Sequence, residues 1–169
     1  MSFLELAKKR FSARSYNSKE IPQETLDIIL EAARVAPTAA NKQPVRLLVV
    51  KSDEARAKLA KAANIYNAPV AIIVCADTSL AWTRPFDGMQ TTDIDASILT
   101  DHLMLAATDQ GLGSVWICYF KPDVIRKEFD LPENLIPINI LAIGYTDEKP
   151  DTTRHDTKRI PKEELVKYL

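Results

Sequence analysis

Pro69-Val70-Ala71-Ile72-Ile73-Val74-Cys75 is a continuous apolar run rich in β-branched residues. A half-exposed strand alternates apolar and polar residues; this one does not, and reads as a strand buried on both faces. Such a strand needs covering elements on each side of its sheet, and the flanking sequence supplies them. Upstream, Arg46-Leu47-Leu48-Val49-Val50 reads as a second strand. Residues 23–35 read as a helix, because Leu26, Ile29, Leu30 and Ala33 recur at helical spacing until Pro37 stops it. A short helix is expected over residues 3–9, and another from an N-cap at Ser52 through Ala63. Downstream, residues 81–90 read as a loop punctuated by Pro85 and Gly88. Thr92 and Asp95 resemble a capping box opening the longest helix, which ends before Gly111. Its second half, Leu103-Met104-Leu105-Ala106-Ala107, is apolar nearly all round, as in helices buried on every side in a core or a subunit interface. Residues 114–120 and 136–143 read as strands, the latter stopped by Gly144. A short helix from Pro122 through Phe129 separates them, and a last helix runs from Lys162. Strands and helices mix without a strict alternating repeat. The expectation is an α+β fold: one domain over residues 1–169, with a central mixed or antiparallel sheet of about four or five strands surrounded by helices.

A chain of 169 residues typically buries roughly 70% of its unfolded surface, enough for a sizeable core. The net charge of −1, from 22 basic and 23 acidic residues, argues against broad nucleic-acid binding, which needs a dense basic field. It leaves room for a small anion site built from a few arginines. Cys75 and Cys118 are the only cysteines, each inside an apolar run, and both are expected to be buried free thiols. Two cysteines and two histidines make a poor metal inventory. No basic-then-apolar signal order opens the chain, and no apolar run reaches membrane length; a reducing cytoplasm is the expected setting. With four glycines, neither a GxGxxG turn nor a P-loop is assembled, which argues against a nicotinamide cofactor held in a Rossmann crevice.

Chemistry-bearing residues cluster in four places. In Arg10-Phe11-Ser12-Ala13-Arg14, alternate side chains of an extended segment share a face, so Arg10, Ser12 and Arg14 point the same way. Two permanent cations and a hydroxyl suit a phosphate. A basic stretch after a short helix is, taken alone, more often a solvated face, and Lys8 and Lys9 favour that reading. Pro37-Thr38-Ala39-Ala40-Asn41-Lys42-Gln43-Pro44 is rich in turn residues but long for a tight turn, and long polar loops often carry binding groups. In Gly111-Leu112-Gly113-Ser114-Val115-Trp116-Ile117, Gly111 suits a helix C-cap, Gly113 permits close approach of a backbone or ring, and Trp116 offers a flat apolar wall. Lys158-Arg159-Ile160-Pro161 alone reads as a solvated linker, and His155 as a surface histidine with no nucleophile paired to it. Asp93 and Asp95 are explained by a helix N-terminus, where negative charge is favourable.

In this order and spacing, together with Ile143-Gly144-Tyr145 and Arg159-Ile160-Pro161-Lys162-Glu163-Glu164-Leu165, these motifs resemble the nitroreductase family of FMN-dependent oxidoreductases over essentially the whole chain. The resemblance implies an α+β fold in an intertwined homodimer with two FMN sites at the interface. It implies that Arg10 and Ser12, with Phe11 between them, hold the FMN phosphate or ribityl chain, and that Arg159 adds a second charge. Arg14 would lie toward the pyrimidine side of the ring. Pro37, Thr38 and Ala39 would approach from the other subunit, with Asn41 and Gln43 anchoring that loop or touching FMN. Trp116, Ile117, Cys118 and Tyr119 would run along the isoalloxazine edge, an N–H of Cys118 or Tyr119 facing N5; Asn64 is a further candidate for the ring. The implied activity passes electrons from NADH or NADPH through flavin N5 to a nitroaromatic, quinone or similar conjugated acceptor, with no catalytic side chain and no metal. Two departures stand out: Cys118-Tyr119 replaces the Glu-Gly of many larger relatives, and Pro-Thr-Ala-Ala replaces Pro-Ser-Ser. With little room for covering helices, an open, permissive site is expected. The competing expectations are a flavin protein that stores or senses FMN with little turnover, with Tyr119 covering the ring; a flavin enzyme of different chemistry, reductive dehalogenation or flavin breakdown; and an interaction domain that binds no flavin.

Overall fold

The structure, a computed structural model, describes residues 1–151 and 153–169. Four antiparallel strands form one sheet in the order β1-β2-β4-β3, with β1 Val45–Val50, β2 Val70–Asp77, β3 Gly113–Ile117 and β4 Leu135–Gly144. The apolar run occupies β2, which pairs with β1 on one side and β4 on the other. Its alternate residues serve two cores. Val70, Ile72 and Val74 meet helices α2 (Gln23–Arg34) and α4 (Thr92–Asp109) on one face. Ala71, Ile73 and Cys75 meet α3 (Asp53–Ala60) and α5 (Pro122–Glu128) on the other. Each fully buried isoleucine contributes about 2 kcal/mol relative to exposure, which is why a strand with no polar side stays in the middle. Among the described residues no helix is long and apolar enough to cross a membrane.

Several boundaries differ from the sequence expectation. Ser52 caps α3 by accepting the Ala55 N–H at 3.2 Å, but the helix stops at Ala60 rather than Ala63. Beyond it the Ala62 carbonyl accepts the Lys121 N–H at 3.0 Å, which draws the chain out of helical register. The expected capping box at Thr92 and Asp95 does not form: Thr91 is the N-cap, and no side chain caps the helix. The apolar half of α4 is not covered all round within one chain; Leu103 and Ala107 are buried, while Met104, Leu105 and Ala106 are half-exposed. Strand β3 ends at Ile117, three residues early, because β4 before Ile140 pairs only with β2. Cys118 therefore leaves the sheet and is exposed, contrary to the expected buried thiol, whereas Cys75 is buried as expected. The polar tail forms two short helices, α6 (Arg154–Thr157) and α7 (Lys162–Leu165), of which only the second was anticipated.

Candidate functional site

After α1 (Phe3–Lys9) the chain extends along the outer side of β3. Ser12 forms a parallel bridge with Ser114, and Ala13 donates its N–H to the Ser114 carbonyl at 2.9 Å. This docking buries Ala13 and turns Arg10, Ser12 and Arg14 to the opposite side, as alternation requires. Gly113 makes the approach possible: a Cβ there would stand 2.8 Å from Ala13 Cβ and 2.6 Å from Thr146 Cγ2. Its missing side chain accommodates the N-terminal segment and the tail, not a ligand.

Arg10, Phe11, Ser12, Arg14 and Arg159 line one groove of about 470 Å³. It gathers five cationic side chains against two carboxylates. Arg154, missed in the sequence, fastens the tail to this segment. Its Nη2 donates to the carbonyls of Arg10, at 2.7 Å, and Lys8, while Nη1 donates to that of Asp151 at 2.8 Å. His155 is half-buried rather than a free surface residue, with Nε2 3.1 Å from the Lys8 carbonyl. The clue lay in the charge run of the tail, where Arg154 and His155 precede Lys158 and Arg159 by one helical turn. Both carboxylates are occupied. Glu148 Oε2 accepts the Arg14 N–H at 2.8 Å, and Asp151 accepts from Thr153 and pairs with Lys158. Burial, and then the cations of Arg154 and Arg159, push the Arg10 guanidinium below its ordinary value, opposed by Asp101. Three crowded guanidiniums repel one another unless an anion sits among them.

A second hollow of about 370 Å³ lies beyond Arg14, whose guanidinium stands 6.0 Å from the centre of the Tyr66 ring. Asn64, Tyr66, Ile117 and Tyr119 line it. Asn64 Oδ1 accepts the Tyr66 N–H at 2.8 Å and holds Tyr66 at φ +57°. Tyr119 stands on the rim, 97% exposed. Trp116 instead faces the α4 side of the sheet, half-buried, with Nε1 unpartnered among the described residues. Tyr66 was not anticipated; nothing in Ile65-Tyr66-Asn67 signals its place beside Arg14.

Residues 37–44 form a separate feature. Thr38 Oγ1 accepts the Gln43 N–H at 3.0 Å, and Gln43 Nε2 donates to Asn41 Oδ1 at 3.3 Å. Ala40, Asn41 and Gln43 all have positive φ, a costly run for residues that are not glycine. None of these residues lines the basic groove or the second hollow. Ala39 is bonded to Asp95 in the first turn of α4, whereas Phe11 shares a hollow with Thr108 at the other end. Those two points of α4 are roughly 20 Å apart at helical rise.

Comparison with known proteins adds the ancestry of this arrangement. A family model described as "Nitroreductase family" matches residues 7–65 and 61–145. A crystal structure of a nitroreductase family protein from Clostridium difficile 630 superposes with a TM-score of 0.97 at 56% identity, covering 99% of this chain and 98% of that one. A protein of Methanothermobacter thermautotrophicus with the provisional name NADH dehydrogenase/NAD(P)H nitroreductase is 37% identical over 90% of this chain and 81% of its own. An FMN-dependent nitroreductase from Clostridium difficile R20291 is 29% identical with a TM-score of 0.74, covering 95% of this chain and 99% of that one.

Proposed function

The chain belongs to the nitroreductase family, and on that premise we propose that it is an FMN-dependent oxidoreductase that carries electrons from NADH or NADPH to a conjugated acceptor such as a nitroaromatic or a quinone. The observation that carries this reading is the convergence of Arg10, Ser12, Arg14 and Arg159 on one groove, with the Arg14 guanidinium 6.0 Å from the centre of the Tyr66 ring that lines the second hollow. The donor set fits the cofactor: charge-assisted donors for a phosphate at one end, aromatic and amide groups for a flat ring at the other. Arg10 and Ser12 bind the phosphate or ribityl chain, and Arg159 adds charge. Arg154 positions the Arg10 carbonyl and keeps the tail against the groove. Arg14 lies on the ring side, where a cation stabilises the negative charge gained on reduction. The N–H of Cys118 or Tyr119 serves the flavin edge. FMN held there would supply the redox chemistry, carrying electrons from the nicotinamide donor to the acceptor.

Within one subunit the 37–43 loop is bonded to the first turn of α4, Phe11 of the groove shares a hollow with Thr108 near the other end, and no loop residue lines the groove. The proposed site therefore takes Pro37, Thr38, Ala39, Asn41 and Gln43 from the partner subunit, in a homodimer with two sites. Exposed apolar side chains support that assembly: Phe3 and Leu4 on α1, Ile94 on α4, Leu165 and Tyr168 in the tail. Those on α1 and α4, two helices in contact, are open together, and contiguous exposed apolar surface marks interaction sites.

The visible spectrum of the purified protein tests the reading. Yellow protein that bleaches when NADH or NADPH is added without oxygen, and recovers colour with a quinone, is the expected result. Yellow protein that resists bleaching would point to storage or sensing, and colourless protein that takes up no FMN would overturn the proposal. Within it, Arg10→Ala removes a charge-assisted contact worth about 1.5–3 kcal/mol, which weakens FMN binding roughly ten- to hundredfold. An unchanged dissociation constant would refute the phosphate assignment.

A further inference from the structure

Asp95 is fully buried, and among the described residues no lysine, arginine or histidine lies within ion-pair distance of it. An isolated buried carboxylate is costly unless its oxygens are hydrogen-bonded. Here both are used: Oδ1 accepts the Ala39 N–H at 2.8 Å, and Oδ2 accepts the Thr91 hydroxyl at 2.9 Å. Its place in the first turn of α4 adds the positive end of the helix dipole. The sequence reading explained Asp95 by the helix N-terminus alone. The geometry gives it a second partner 56 residues away.

That partner is the residue before the costly stretch. Ala40, Asn41 and Gln43 hold positive φ, a conformation that an untethered loop would abandon. The loop is pinned on both sides of the stretch. Behind it, Asp77 at the end of β2 donates its N–H to the Pro44 carbonyl at 2.8 Å. In front of it the Asp95 side chain holds Ala39, the one tether to an element distant in sequence among the described residues, beside the local bond from the Gln43 N–H to Thr38 Oγ1. Thr91, the other partner of Asp95, also donates its N–H to the Trp82 carbonyl at 3.0 Å, so the same carboxylate ties the loop to the foot of the 82–91 excursion.

We propose that Asp95 is a positioning residue for the flavin site: it presets the 37–43 loop in its strained shape, so that FMN meets an ordered surface. The inference rests on the reading that this loop reaches FMN bound in the partner's groove. A preset loop spares the ligand the entropy of ordering it, and affinity registers the difference.

The test is FMN titration of flavin-free protein by fluorescence quenching, with thermal unfolding of each variant. Asp95→Ala is expected to raise the FMN dissociation constant about tenfold by uncovering the ordering cost. Asp95→Asn keeps an acceptor for the Ala39 N–H and is expected to stay within about threefold of the parent. Thr100→Val is the control for stability alone. Thr100 is buried on the same helix, bonded to Ala96 and Asn139 and not to the loop, so its loss is expected to lower the melting temperature without changing FMN affinity. Hydrogen exchange is expected to quicken in residues 37–43 of Asp95→Ala and to stay unchanged in β1. An Asp95→Ala affinity equal to that of the parent would overturn the inference. So would affinities that follow the melting temperature across all three variants. Should Asp95→Ala fail to fold, Asp95→Ser, too short to reach Ala39, is judged by the same criteria. Parent protein that binds no FMN would refute the flavin reading itself; parent that binds FMN beside an unaffected Asp95→Ala would refute only the role of Asp95.

Discussion

Cys75 sits inside β2 with no exposed surface, and burial pushes its thiol from 9.0 up to about 12. Cys118 stands free on the surface one residue past β3. At pH 8 a thiol reagent is therefore expected to modify Cys118 in the folded protein and to reach Cys75 only on unfolding. Modification of both at one rate would contradict the burial. The shift has a pH consequence. The native state holds the Cys75 proton more tightly than the unfolded state, so its contribution is complete below pH 9 and is lost as pH rises from 9.0 toward about 12. Urea midpoints are expected to fall between pH 9 and pH 11, and less steeply in Cys75→Ala than in the parent. A parallel fall in both proteins would remove Cys75 as the cause. In sequence the two thiols look alike, each flanked by apolar residues. What separates them is the length of the neighbouring ladder: β4 pairs with both its neighbours only from Ile140 onward, and no local pattern in Ile117-Cys118-Tyr119 records that. The alternation at Arg10, Ser12 and Arg14 was legible because it needs only an extended backbone. Arg154 was not, because its partners are carbonyls of Lys8 and Arg10, and any arginine can bond a carbonyl.

The short segment at the start of β3 joins fold to site. Gly113→Ala places a methyl against Ala13 and Thr146, so the N-terminal segment or the tail must move away from the sheet. Overpacking of this kind costs about 1–3 kcal/mol. Because Ser12 is bridged to Ser114, the displacement also reaches the groove, and FMN affinity is expected to fall with stability. Gly111→Ala provides the contrast. Gly111 has φ +77° with nothing near its Cβ position, so the change strains the backbone by about 1 kcal/mol and is expected to leave FMN affinity unchanged. Equal effects of the two variants on affinity would refute the link through Ser12. Element identities were legible where periodicity was strong, as in β2 and α2, and where a cap was local, as at Ser52. The start of α4 was misread because Thr92 and Asp95 fit a local capping rule, whereas the Asp95 carboxylate is spent on a loop far away in sequence. The loop itself announced its polarity but not its three positive φ values, since Ala40 carries no signal for that conformation.

At the scale of the whole molecule, α4 separates the two parts of the proposed site: the loop is bonded to its first turn, Phe11 of the groove shares a hollow with Thr108 near its end, and no loop residue lines the groove. Sequence alone proposes both parts but says nothing of their separation across the 18-residue helix that packs on the sheet. The spacing has a consequence that a site within one subunit does not share. Arg10→Ala damages the groove, and Ala39→Glu puts a bulky carboxylate on the loop; each homodimer then has two defective sites. In a mixed dimer, the intact groove of the second variant faces the intact loop of the first, while the other site carries both lesions. Random reassembly makes about half of the dimers mixed, so about a quarter of all sites are expected to regain parental FMN affinity. Refolding the two variants together and titrating FMN gives the count, with sedimentation to verify the dimer. No recovery would place groove and loop in the same subunit's site, or the loop outside the site altogether. The affinity of Ala39→Glu before mixing distinguishes these, because a loop that played no part would have left it normal.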